Sequence, residues 1–181
     1  MRDEPNISNS IQRRYFPLKA LMMGAFICLL SIGCKNSDKD SDKMIPATFA
    51  MEMENSKGER VNMEEFRGKK IFFNVWATWC PPCIEEMPTI HNLYEEIGEQ
   101  EDVEFLMLSM DQDFQKAIDY REKYGYDFEI YRPIGPMPAM YHTKLIPTTF
   151  VINSEGYLVL QHDGLGEFDT REFKEYFASV K

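Results

Sequence analysis

Cys80 and Cys83 are separated by two prolines, in the run Trp76-Ala77-Thr78-Trp79-Cys80-Pro81-Pro82-Cys83. Two intervening residues bring the second sulfur within bonding reach of the first. The thiolate, not the thiol, is the form that attacks a disulfide. The pair therefore predicts exchange between a dithiol and a disulfide, provided Cys80 is held ionised. The flanking sequence supplies the means. Ile71-Phe72-Phe73-Asn74-Val75-Trp76 is a dense run of β-formers and reads as a buried central strand. From Pro82 onward, apolar residues at Ile84, Met87, Ile90, Leu93, Tyr94 and Ile97 have helical spacing, with Glu85, Glu95, Glu96 and Glu99 mostly outside. Cys80 thus falls at the mouth of a helix. Unsatisfied N–H groups and the positive end of the helix dipole favour its thiolate there. Pro82 suits the first turn, where its missing N–H is not needed. Cys83 lies a little inside the helix and is expected to be less exposed. Pro88 predicts a kink further along.

Glu86 follows Cys83 by three residues, one helical turn along the same face. A carboxyl there could exchange protons with Cys83 or raise its thiol pKa. Glu85 reads as a solvated helix residue, and His91 is expected on the exposed part of the helix. Trp79 reads as a shield over the sulfurs that also contacts substrate, and Trp76 as core. A structural zinc site would need four ligands, commonly a second cysteine pair. The sequence has none, and its three histidines are scattered, so no metal is expected.

The remaining pattern says what positions this pair. Phe49, Met51 and Met53 alternate with polar residues, as in a half-buried strand, and Asn55 to Gly58 reads as a turn. Asn62 with Glu65 is a capping box for a short helical turn ending near Gly68. Val103 to Ser109 is a second buried strand. Phe114, Ala117, Ile118, Arg121 and Tyr124 give a second helix that stops before Gly125. Pro133 to Pro138 reads as a loop. Thr148 to Ile152 and Tyr157 to Gln161 form a hairpin, and Asp169 with Glu172 caps a last helix. The order β, β-α-β-α, β-β-α implies an α/β fold with parallel crossovers first and an antiparallel edge later.

The chain has 181 residues, 44% hydrophobic and 28% charged, with a net charge of −10. The first 33 residues carry four cations and two anions, a net of +2, so the remainder is near −12. Such an acidic body disfavours nucleic acid as a partner. Arg13, Arg14 and Lys19 precede a run from Ala20 to Gly33 without charge, the pattern of a secretory signal. The run is shorter than the roughly 20 residues of a spanning helix. It ends Leu30-Ser31-Ile32-Gly33-Cys34, which resembles the lipobox of bacterial lipoproteins, although Ser31 stands where that motif usually has leucine. The expected organisation is a signal peptide over 1–33, a polar tether over 34–43 and one domain over 44–181. The resemblance implies lipidation of Cys34 and attachment to a membrane surface facing the periplasm or exterior.

Phe73-Asn74-Val75-Trp76-Ala77-Thr78-Trp79-Cys80-Pro81-Pro82-Cys83, followed by Glu86-Met87-Pro88, resembles the membrane-anchored thioredoxin-like proteins of the TlpA/ResA class. The resemblance covers most of the chain from about Ile45 onward. It implies a thioredoxin-like fold, with a mixed central sheet flanked by helices and an extra N-terminal strand or hairpin region. It also implies that Pro147 is a cis-proline beside the cysteines, that Ile146 presents backbone to substrate, and that Glu86 is functional. The implied activity is thiol–disulfide exchange on cysteine pairs of exported proteins, apocytochromes c included, in the reducing direction. No cofactor is needed, but a membrane electron-donor protein must recycle the pair. Two other readings stand beside this one. One is a copper carrier using Cys80 and Cys83 with Met137, Met140 or His142. The other is a thiol peroxidase, which the placing of Thr78 two residues before Cys80 does not favour.

Overall fold

The computed structural model describes residues 44–181. The expected signal peptide, the tether and Cys34 lie outside the described residues. Among those described, no helix is long and apolar enough to cross a membrane. The strands are β1 (Ile45–Pro46), β2 (Glu52–Asn55), β3 (Arg60–Asn62), β4 (Lys70–Trp76), β5 (Val103–Ser109), β6 (Ile130–Pro133), β7 (Thr148–Ile152) and β8 (Tyr157–Asp163). The helices are α1 (Pro81–Ile97), α2 (Phe114–Tyr124) and α3 (Arg171–Ser179). The strands form one sheet in the order β1-β8-β7-β4-β5-β6-β2-β3. β4, β5 and β6 run parallel, and the pairings on either side of them are antiparallel. This is the mixed sheet that the element order implies.

Period-two alternation along the strands divides the core into two layers. On β4, Phe72 and Trp76 face one way and pack with Met87, Ile90 and Leu93 of α1, Ala117 of α2 and Phe177 of α3. Ile71, Phe73 and Val75 face the other way. There they meet Phe49, Met51 and Met53, so the alternation of the N-terminal segment is a real buried face. Its regular strand begins only at Glu52 and pairs with β3 to form the extra hairpin. The capping box is present: Asn62 accepts from Glu64 N at 2.9 Å, and Asn62 N–H donates to Glu65 Oε1 at 2.8 Å. It caps a single turn of 3-10 helix, Met63–Phe66.

Four sequence expectations need correction. β6 falls where the sequence pattern predicts no strand. It is four residues long, ends in proline, and pairs with β5 through only two residues, so its pattern is too short to see. β8 continues past Gln161 to Asp163. The last helix is capped by Thr170, which accepts from Phe173 N at 3.2 Å, while Asp169 instead accepts from Asn92 Nδ2 at 2.7 Å. His91 is not on an open face. Its side chain is only 16% exposed, and its ring lies 5.0 Å from that of Tyr126 and 6.1 Å from that of Phe128. The segment after α2 covers that side of α1, which the periodicity of α1 alone does not reveal.

Candidate active site

β4 delivers the chain to one end of the sheet, and the residues from Ala77 to Cys80 turn it into α1. Asp111, just beyond β5, holds that turn. Its two oxygens accept from Thr78 N at 2.9 Å and Thr78 Oγ1 at 2.6 Å, and Ser109 Oγ donates to it at 2.9 Å. Asp111 is nearly buried. Sequence reasoning misses it, although an acidic residue two positions past a strand end is a mild signal for such a role.

Cys80 is the N-cap of α1. Its sulfur accepts from Cys83 N at 3.3 Å. Pro81 and Pro82 have no N–H, so Cys83 has the first amide of the helix that can serve the sulfur. The two cysteines are joined as a disulfide, with Cα atoms 5.3 Å apart. Cys80 is 4% exposed and Cys83 is wholly buried, the asymmetry that the helix position predicts. Ile146–Pro147 is cis, and the Ile146 carbonyl oxygen lies 3.5 Å from Cys80 Sγ. Hydroxyls hold the approach to this segment: Leu145 N–H donates to Thr143 Oγ1 at 3.1 Å, and Thr148 Oγ1 donates to Leu145 O at 2.8 Å.

Cys80 opens onto a groove of about 920 Å³. Trp79, Pro81, Met110, Met137, Leu145 and Ile146 form much of its wall. Trp79 is 64% exposed, an unusual placement for so large an apolar side chain. Trp76 is core, as expected. Of the three candidate soft ligands, Met137 and His142 line this groove. Met140 is turned elsewhere, its sulfur 3.1 Å from Thr48 N, and His142 Nε2 sits 2.7 Å from Met137 O. Among the described residues, no group of three or more His, Cys, Asp or Glu side chains is placed to hold a metal ion.

Glu86 is fully buried, while its neighbour Glu85 is exposed. Its Oε1 accepts from Asn74 Nδ2 at 2.8 Å and its Oε2 from Gly166 N at 3.0 Å. Burial pushes the carboxyl up to about 7, against the opposing pull of the Gly166 and Asn74 donors. A carboxyl that changes charge near neutrality therefore sits one turn beyond Cys83. Asn74 and Gly166 are further site residues that sequence reasoning misses. The only signal is an isolated amide in an apolar strand.

Strand, turn, capped thiol pair, cis-proline and buried carboxyl together make the site of a thiol–disulfide oxidoreductase, an enzyme acting on protein disulfides through the redox-active Cys80–Cys83 pair. The chain belongs to the redoxin family, whose pattern matches residues 39–180. It is similar to the thiol-disulfide oxidoreductase ResA of Halalkalibacterium halodurans, with 34% identity over 68% of this chain and 70% of that protein. In structure it resembles StoA from Bacillus subtilis, with a TM-score of 0.59 and 25% identity over 74% of this chain and all of that one. A thioredoxin-family thiol:disulfide interchange protein from Chlorobium tepidum shares the fold, with a TM-score of 0.61 and 21% identity over 75% of this chain and 97% of that one.

Proposed function

We propose that this protein reduces disulfides of exported proteins at a cell-envelope membrane surface facing the periplasm or exterior, held there by lipid on Cys34. The observation that carries the chemical part is the placing of Cys80 Sγ at the groove wall, 3.5 Å from the Ile146 carbonyl. The address rests on the basic, then apolar, then Gly33-Cys34 start of the chain. Cysteine pairs of apocytochromes c are the substrates that the family resemblance suggests.

In the reducing direction Cys80 thiolate attacks one sulfur of the substrate disulfide. A Cys80–substrate disulfide forms, and the other substrate sulfur leaves as thiolate. Cys83 then loses its proton and attacks Cys80 Sγ. The second substrate thiolate departs, and the Cys80–Cys83 disulfide remains. Two electrons have passed to the substrate, and a membrane electron-donor protein returns them. Glu86 takes the Cys83 proton; a base that titrates near the working pH suits that step. An extended substrate segment lies against Ile146 and Pro147, with Trp79 over it.

The reduction potential tests the direction. Equilibration of the protein with defined thiol buffers is expected to give a value near that of thioredoxin, about −270 mV. A value near about −120 mV would make the protein an oxidant and overturn the proposed direction. The groove is tested separately. Trp79→Ala should raise KM for a disulfide-bonded protein substrate roughly tenfold, because a large apolar contact is lost. Potential and fold stability should stay unchanged, since Trp79 packs into no core. An unaltered KM would remove Trp79 from the substrate surface.

A further inference from the structure

Asn74 lies on the side of β4 that carries Phe72 and Trp76, facing the helices, and is wholly buried. Sheet register sets it directly across from Thr149 of β7. Its amide nitrogen donates twice, to Glu86 Oε1 at 2.8 Å and to Thr149 Oγ1 at 2.9 Å. Its own carbonyl oxygen is buried with no hydrogen-bond partner among the described residues. As a device for folding this is a poor choice. An unpaired buried acceptor carries a desolvation cost that a leucine of similar size would avoid. What a leucine could not supply is the two N–H donors.

We propose that Asn74 is a positioning residue for the exchange reaction, holding the Glu86 carboxyl on the Cys83 helix and tying it, through Thr149, to the Ile146–Pro147 wall of the groove. A second route closes the circle. Gly166 N–H donates to the other Glu86 oxygen at 3.0 Å, and Gly164 N–H donates to Pro147 O at 2.8 Å. Both oxygens of the carboxyl are thus linked to the segment that lies against Cys80. The turn that permits the second route has Gly164 at φ +94°, a conformation open to glycine. The elements around Glu86 face it with the Asn74 amide, the Thr149 side and the Gly166 N–H, none of which titrates near neutrality. His162, on β8 directly across from Thr149, has its Nε2 3.0 Å from Leu165 O. Cys80 and Cys83, once their disulfide is reduced, are the titratable partners within the site.

The inference rests on the reading of Glu86 as the proton acceptor for Cys83, and the test separates the two. The full chain is labelled with carboxyl-13C glutamate, and the Glu86 signal is identified by its loss in Glu86→Gln. Asn74→Leu removes a donor to the carboxylate. Hydrogen bonds to a charged acceptor are about twice as strong as neutral ones, so the anion loses more than the acid. The Glu86 midpoint should rise by roughly one pH unit. The pH profile of Cys83 attack should rise with it. Combined with Glu86→Gln, the Asn74 change should add nothing to that profile. Thr149→Val keeps the β-branched shape and should give a smaller rise, and it decides the matter if Asn74→Leu does not fold. An unmoved midpoint in the folded variant overturns the positioning role. A midpoint that moves while the profile stays leaves Asn74 as the holder of Glu86, and overturns the reading of Glu86 as the acceptor.

Discussion

Cys83→Ser is expected to stall the protein as a mixed disulfide with its substrate, whereas Cys80→Ser should form no adduct at all. Both should lower turnover on the order of 10⁴-fold, the scale of losing a nucleophile whose partners act as a unit. The asymmetry follows from position. Cys80 lines the groove, and its sulfur receives the Cys83 N–H at the start of α1. Cys83 is wholly buried one turn in, where a bulky protein disulfide cannot reach it. It can reach only the sulfur beside it, and that is the resolving step. Non-reducing electrophoresis and intact mass of the variants mixed with a disulfide-bonded protein provide the measurement. Adducts that form on Cys83 in Cys80→Ser, and not on Cys80 in Cys83→Ser, would reverse the assignment.

Glu86→Gln should change both stability and the pH response. The folded carboxyl titrates near 7, against 4.5 for an unperturbed one. Between those values the folded chain binds the proton more tightly than the unfolded chain. Stability therefore falls as pH rises from 4.5 to 7 and levels off above. Shifts of this size correspond to roughly 3 kcal/mol at about pH 8. A glutamine mimics the protonated acid and never carries the charge. The variant should thus be more stable than the parent at about pH 8 by that amount, and equal to it near pH 4. For its Nε2 to find an acceptor, the Asn74 amide must turn its oxygen toward it, an oxygen now without a partner among the described residues. The same substitution should erase the inflection near pH 7 in the rate of Cys83 attack. Denaturant melts at the two pH values, with stopped-flow exchange across the range, test both claims. A variant less stable than the parent at the higher pH would mean that burial does not dominate this carboxyl.

Local pattern makes much of this site legible in the sequence itself. The dense β-former run into Trp76, the proline suited to a first helical turn and the helical spacing from Ile84 to Ile97 each depend on neighbours a few residues away. β4 and α1 accordingly form where the pattern places them, and the exposed Trp79 beside the buried Trp76 follows from them. The approach of Ile146–Pro147 to Cys80 is expected from family resemblance and from no local rule. β6, the Thr170 cap and the covering of His91 are invisible to local pattern. Each is decided by a partner distant in sequence: β5 and β2 for β6, Asn92 for Asp169, the post-α2 segment for His91.

The amino-acid order by itself determined the reactive pair, the helix that receives it and the acidic residue one turn on. Only the tertiary structure decided what that acid is. Glu85 and Glu86 are identical in type and adjacent in the chain, yet one is exposed and the other is fully buried between Asn74 and Gly166. A carboxyl's proton affinity depends on solvent and donors around it, and those come from β4 and from a loop 80 residues away in the chain. Sequence periodicity can say which face of a helix looks inward, but not which polar atoms another element will bring to meet it.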